Sequence, residues 1–297
     1  MTNSKRGHKM QALLRHAFFA AALAASAQGL AQPAAVVEGV QMPAWVERSG
    51  RSSPVAPGMA LQAGDQVRTG AGSRLLVKLS EGSLVKLGEN GSLRIAELAP
   101  TQDLFKAAMR VLEGAFRFST DLAARQRRRD VNITVATVTA GIRGTDLWGR
   151  SRNQREIVCL IEGRIEVGAE GEQPVVMDQP RQFYVRDKGK TQPIGFVEPQ
   201  QLNEWAKETE IERGKGAARV GGRWSVVLAT VDNQRDALMV YDTVRQAGYP
   251  AEIRPLKDGD KRSYAVRIRN LPSKAEAAAL ADSLRGKHGV ENPAVSG

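Results

Sequence analysis

Residues 75–95 read LLVKLSEGSLVKLGENGSLRI, and this stretch decides the fold of the first two thirds of the chain. Leu75, Val77 and Leu79 alternate with Leu76, Lys78 and Ser80. Glu81-Gly82 reverses the chain, Val85 and Leu87 follow, Glu89-Asn90-Gly91 reverses it again, and Leu93 and Ile95 resume the alternation. A period of two with turn residues about every eight positions predicts short strands, each with one face in a core. More strands are expected near Ala115–Ser119, Val131–Val138, Ile157–Ile161, Arg164–Val167 and Gln182–Val185, with an interrupting helix at Thr101–Leu112. The span 36–197 is therefore mainly β. The pattern leaves open a sandwich, a roll or a β-helical coil.

After Val197 the character changes. Residues 199–213 predict a helix with Leu202, Trp205 and Ile211 as apolar points, and Gly214, Gly216, Gly221 and Gly222 predict a flexible linker closing the span 198–222. A second domain follows over 223–297. Trp224, Val226 and Leu228 alternate as a strand, and Asn233 to Gly248 carries apolar residues at helical spacing with a glycine stop. Ala251 and Ile253 give a second strand, Lys257-Asp258-Gly259-Asp260 turns it into a third at Tyr264–Ile268, and Pro272-Ser273 opens a second helix. With a short closing strand, the order is β-α-β-β-α-β, the ferredoxin-like split unit of an α+β domain.

Composition narrows the chemistry. The 297 residues hold three histidines, His8, His16 and His288, and one cysteine, Cys159. A Ser-His-Asp triad needs an imidazole beside a nucleophile, and zinc sites draw on several His or Cys ligands. No metal site, cofactor or internal disulfide is expected. Residues 1–16 carry Lys5, Arg6, Lys9 and Arg15 without an acid, an apolar run follows from Ala17, and Ala25-Ser26-Ala27 offers a cleavage site. Residues 1–31 thus read as a secretory signal peptide, its apolar run too short to span a bilayer, and the mature protein is expected in the periplasm. Cys159, in Ile157-Val158-Cys159-Leu160-Ile161, reads as a packed strand residue. Arg125, Arg127, Arg128 and Arg129 read as a solvated loop tip.

Residues 60–167 resemble the FecR domain. The carriers are Ala63-Gly64-Asp65-Gln66-Val67-Arg68-Thr69-Gly70, Ser73-Arg74-Leu75, Glu81-Gly82-Ser83, Leu112-Glu113-Gly114-Ala115-Phe116, Gly141-Ile142-Arg143-Gly144-Thr145 and Glu162-Gly163-Arg164-Ile165. Residues 223–297 resemble the SPOR domain through Trp224-Ser225-Val226-Val227-Leu228, Ala237-Leu238, Tyr264-Ala265-Val266-Arg267-Ile268 and Ser273-Lys274-Ala275-Glu276-Ala277. Val227 stands where that family often has Gln, and Arg269-Asn270-Leu271 where it often has Gly-Pro-Phe.

The SPOR resemblance implies binding to septal peptidoglycan, with preference for glycan strands stripped of stem peptides. Alternation in the sheet adds a surface for this. If Trp224, Val226 and Leu228 face the helices, then Ser225, Val227 and Ala229 face outward, as do Glu252, Arg254, Ala265, Arg267 and Arg269. Ser225, Val227, Arg254, Arg267 and Arg269 are the candidate peptidoglycan-binding residues, with guanidinium groups bonding hydroxyls, acetamido carbonyls and lactyl carboxylates. RNA-binding modules of this fold stack bases on sheet aromatics; here those positions lack aromatics, so nucleic acid is not an expected partner. Membrane-spanning FecR regulators of sigma factors have a cytoplasmic segment; with a cleavable signal peptide expected at residues 1–31 no such segment is expected here, so the FecR-like part is read as a scaffold or partner-binding module. An alternative is a periplasmic sensor acting with a membrane partner. Glu162 and Glu166 could mimic a glycosidase pair on one strand face, but with Arg164 between them they read as a solvated edge.

Overall fold

The computed structural model describes residues 33–297 apart from 102, 121–127 and 143. The expected signal peptide, Arg125, Arg127 and Arg143 lie outside the described residues.

Residues 35–196 form two facing sheets. Their inner faces interdigitate as one core, with Val37, Leu75, Val85, Phe116, Leu147 and Leu160 from one sheet and Val46, Val67, Ile95, Met109, Ile133 and Val167 from the other. The alternation in 75–95 is realised in the hairpin of Arg74–Leu79 and Leu84–Leu87, where Leu75 lies opposite Leu87 and Val77 opposite Val85. One sixteen-residue strand, Leu104–Ser119, belongs to both sheets. Its first half pairs in parallel with Arg128–Val135 and antiparallel with Ser92–Pro100. Its second half pairs with Leu84–Leu87 and Asp146–Arg152 in the other sheet. The crossing is at Gly114, whose φ of 87° suits glycine and where an added Cβ would lie 2.6 Å from the Cα of Gly91.

This strand replaces the helix expected at Thr101–Leu112. Phe105, Ala107, Met109 and Val111 are all buried at a spacing of two, and pairing on both sides of the strand makes that period decide. A second correction concerns Val131–Val138. The chain turns there at Ala136, with φ of 50°, and a hairpin joins Arg128–Val135 to Val138–Ile142.

A helix, α1 (Pro199–Lys207), covers the outer face of the first sheet. It is shorter than the 199–213 expected. Leu202 and Trp205 pack on a separate cluster of Ala115, Trp148, Ile157, Cys159, Val185 and Val197. Cys159 is fully buried there.

The C-terminal region runs Trp224–Val231, α2 (Gln234–Gln246), Glu252–Asp258, Lys261–Leu271, α3 (Lys274–Leu284) and Ala294–Ser296. Its four strands are antiparallel neighbours, with Trp224–Val231 and Lys261–Leu271 in the middle. Both helices start on side-chain caps. Asn233 Oδ1 accepts from the backbone N–H of Asp236 at 2.9 Å, and Ser273 Oγ accepts from that of Glu276 at 3.2 Å.

The stretch expected to be a flexible linker is tied at both ends. Ala218–Arg219 pairs with Ala35–Gln41 of the β region. The Glu276 carboxylate on α3 accepts backbone N–H bonds from Gly214 at 2.7 Å, Gly216 at 2.8 Å and Ala217 at 3.1 Å. Trp45 joins the β region to α2 directly, donating from Nε1 to the carbonyl of Gln246 at 3.1 Å. The glycines here serve turns between fixed neighbours, and residues 33–297 form one compact unit.

Candidate functional site

The C-terminal sheet has one face under α2 and α3. Val226, Leu228, Val266 and Ile268 are buried toward those helices with Ala237, Val244, Ala277 and Leu280. The other face carries the candidate residues. Directly opposite residues in an antiparallel pair share a face, so the register reads out two rows. Glu252, Arg267, Val227 and Ala294 form one, and Arg254, Ala265 and Thr230 form the next.

Arg254 is exposed and makes no ion pair among the described residues. Arg267 is different. Its side chain is 18% exposed, and its Nε and Nη2 bond the same Glu252 oxygen at 2.8 and 2.7 Å. Arg269, 52% exposed, approaches that oxygen at 3.4 Å through Nε. Glu252 thus gathers two of the three candidate arginines. The outward-facing acid was visible in the sequence, and its position opposite Arg267 was the available signal.

Two sequence expectations about this face are corrected. Ser225 is 7% exposed, because Ala294–Ser296 pairs alongside and Ser225 Oγ donates to the carbonyl of Ser296 at 3.3 Å. Ala229 lies opposite Val266, a helix-facing residue. A bulge at Leu228 shifts the phase, so Thr230 takes the outward position. Val227 is half-buried beside Arg267. Val227, Arg254, Arg267 and Arg269 remain around one shallow surface, floored by the small residues Ala265 and Ala294.

The motif residues of the β region serve its turns. Asp65 is buried and accepts both arms of Arg48, at 2.7 and 2.6 Å, plus the N–H of Gln62 at 2.9 Å. The charge-assisted bonds from Asp65 hold the Arg48 guanidinium above its ordinary pKa. Thr69 Oγ1 donates to the carbonyl of Gly88 at 2.6 Å and accepts from the N–H of Gly91 at 2.9 Å. Glu162-Gly163 packs on Gly144-Thr145 so closely that a Cβ at Gly163 would sit 2.7 Å from the carbonyl oxygen of Gly144.

Glu162 and Glu166 do not form a pair on one strand. They lie in different strands, Arg155–Glu162 and Ile165–Ala169, which pair in different sheets. Of the basic cluster, Arg128 is exposed, and Arg129 donates to the carbonyl of Glu81 at 3.2 Å. No group of three or more His, Cys, Asp or Glu that could hold a metal occurs among the described residues. No helix among them is long and apolar enough to cross a membrane.

Comparison with known proteins agrees with the motif reading. The FecR protein family model matches residues 65–166, and the SPOR domain model matches residues 220–295. The chain carries a FecR domain followed by a SPOR domain. No curated protein matches it. Two crystal structures of a candidate anti-sigma factor from Parabacteroides distasonis ATCC 8503 align with 73% of this chain at 14% identity. They are covered over 91% and 89% of their own length, with TM-scores of 0.39 and 0.38.

Proposed function

We propose that this chain is an exported, non-enzymatic cell-envelope protein that binds peptidoglycan glycan strands on the open face of its SPOR sheet. Residues 1–31 act as the signal peptide, the protein works in the periplasm, and it concentrates where denuded glycan is made, at the division septum. The FecR domain is the scaffold that holds the SPOR domain and meets an envelope or membrane partner.

The observation that carries this reading is the row Glu252–Arg267–Val227–Ala294 beside the exposed Arg254. Small side chains leave a shallow floor about two strand spacings wide. Guanidinium groups at one side supply donors for hydroxyl, acetamido and carboxylate oxygens. The β-α-β-β-α-β order of a ferredoxin-like unit leaves one sheet face without helices. Among the described residues, the FecR side meets α2 and the connecting segment 214–219 meets α3 and the third strand, which leaves the open face of the sheet to a ligand.

The test is sedimentation of the full chain with purified sacculi, untreated or stripped of stem peptides by an amidase. Binding should rise on stripped sacculi. Arg254→Glu should weaken it about tenfold, the worth of one charge-assisted hydrogen bond. A chain that ignores both preparations, or a variant that pellets like the parent, defeats the assignment.

A further inference from the structure

A second recognition site lies where the two domains meet. A cleft of about 450 Å3 opens between the outer face of the second FecR sheet and the C-terminal turns of α2. Trp45, Pro54 and Arg68 line one wall, and Asp242, Arg245 and Gln246 line the other. That volume lies within the range of small-ligand pockets.

The charges in the cleft are arranged in an unusual way. Asp242 and Arg245 stand three residues apart on α2, a spacing that normally lets an acid and a base bridge. They do not bridge. Arg245 turns over the ring of Tyr241, 5.1 Å from its centroid, and donates once, at 3.3 Å, to the carbonyl of Ala251. Asp242 is exposed and has no hydrogen bond or ion pair among the described residues. It also sits one turn from the C-terminal end of the helix, where the dipole disfavours an anion. An unpaired carboxylate is thus kept at a place where the helix itself gives it no support.

Across the cleft, Arg68 lies over Trp45 at 6.0 Å and bonds Glu47 at 2.6 Å through Nη2. A guanidinium has five donors, so both arginines retain free ones. The cleft therefore offers separated charges of both signs beside an apolar wall of Trp45 and Pro54. A ligand that carries one anion and one cation would match all three charges, which a neutral sugar or a simple anion would not.

We infer that the interdomain cleft binds a short zwitterionic peptide, with its free carboxylate on Arg68 and Arg245 and a side-chain ammonium on Asp242. The stem peptides that an amidase frees from the wall polymer are the source in view, and in that respect the inference rests on the peptidoglycan reading. The chain then meets both products of that cleavage, bare glycan on the open sheet and released peptide at the domain junction.

Calorimetric titration of the full chain tests this with N-acetyl-Ala-Gln-Lys-Ala bearing a free carboxyl terminus, which carries one ammonium and one carboxylate. Two controls are its C-terminal amide and its Nε-acetyl-lysine form. Each control should bind about tenfold more weakly, the loss of one charge-assisted contact. In Asp242→Asn the acetyl group should cease to matter while the amide still does. In Arg245→Gln the amide penalty should shrink while the acetyl penalty stays.

Absence of saturable binding overturns the inference. So does a control within about twofold of the parent peptide, or an Asp242→Asn variant that still discriminates the acetyl form; this exposed substitution needs no refolding of the chain. A protein that pellets with sacculi but shows none of these effects defeats the cleft alone. One that binds the peptide but ignores sacculi defeats the glycan site alone.

Discussion

The indole of Trp205 lies flat on that of Trp148, with ring centroids 4.7 Å apart and planes 7° from parallel. Phe183 meets the same Trp205 edge-on at 6.2 Å and 79°. Arg150 covers Trp148 at 5.4 Å and donates to Glu208 at 2.8 Å, so the segment from α1 onward is fastened by stacking and by charge. Trp205→Ala should cost about 2–4 kcal/mol in urea unfolding, somewhat below a fully buried indole because Trp205 is half-buried. Trp205→Phe should cost less than half of that. Equal losses for the two variants would deny the stack its role.

Glu276 follows Ser273 in the Ser-x-x-Glu pattern that normally closes a helix start upon itself. Here its carboxylate is used for Gly214, Gly216 and Ala217 instead. Glu276→Ala should lower stability by about 1–3 kcal/mol. It should also turn residues 214–222 into the first site cut by a nonspecific protease, which in the parent should resist cutting there. Glu276→Gln, which keeps an acceptor oxygen, should fall between the two. An unchanged digestion pattern in the Ala variant would show that the strand pairing at Ala218–Arg219 suffices.

On the open face of the SPOR sheet, Glu252 pairs with Arg267 and Arg269, two of the residues proposed to meet the glycan. Glu252→Gln should release both guanidinium groups and tighten binding to stripped sacculi several-fold. It should lower stability by only about 0.5–1 kcal/mol, since the carboxylate is well exposed and its pairing is screened. Weaker binding in this variant would mean that Glu252 itself holds the glycan.

Burial pushes the Cys159 thiol up to about 12. The sign follows from desolvation, which disfavours the thiolate and leaves the thiol protonated at every pH below that value. Iodoacetamide at pH 8 should therefore leave the native protein unlabelled and modify it fully in guanidinium chloride, read by intact mass. Labelling of the native chain at the denatured rate would contradict the packing of Trp148 and Val185 around it.

Much of this was legible in the sequence, for reasons that differ by region. The alternation of Leu75, Val77 and Leu79 with Leu76, Lys78 and Ser80 is a one-sided strand pattern, and the fold keeps it. Asn233 and Ser273 announce helices because their side chains can do little else before an apolar run. The misread strand at Leu104–Ser119 has a physical cause. Phe105, Ala107, Met109 and Val111 recur at two, but Leu104, Ala108 and Leu112 recur at four, and only pairing partners distant in sequence decide between them. Ala136 turns the chain without being a turn residue. The bulge at Leu228 leaves no local mark, yet it exchanges Ala229 for Thr230 on the candidate surface. Residues 214–217 are held by Glu276, some sixty residues away, and no local pattern could announce it.

The strand Leu104–Ser119 has one more consequence. Because its two halves are rungs in different sheets, neither sheet can open along it without loosening the other at Gly114. Amides of Met109 and Phe118 then exchange with solvent only when the whole β domain opens, so their protection factors rise and fall together with denaturant. Partial opening, the usual route by which a sandwich exposes one layer to aggregation, is closed to this domain by a single continuous stretch of backbone.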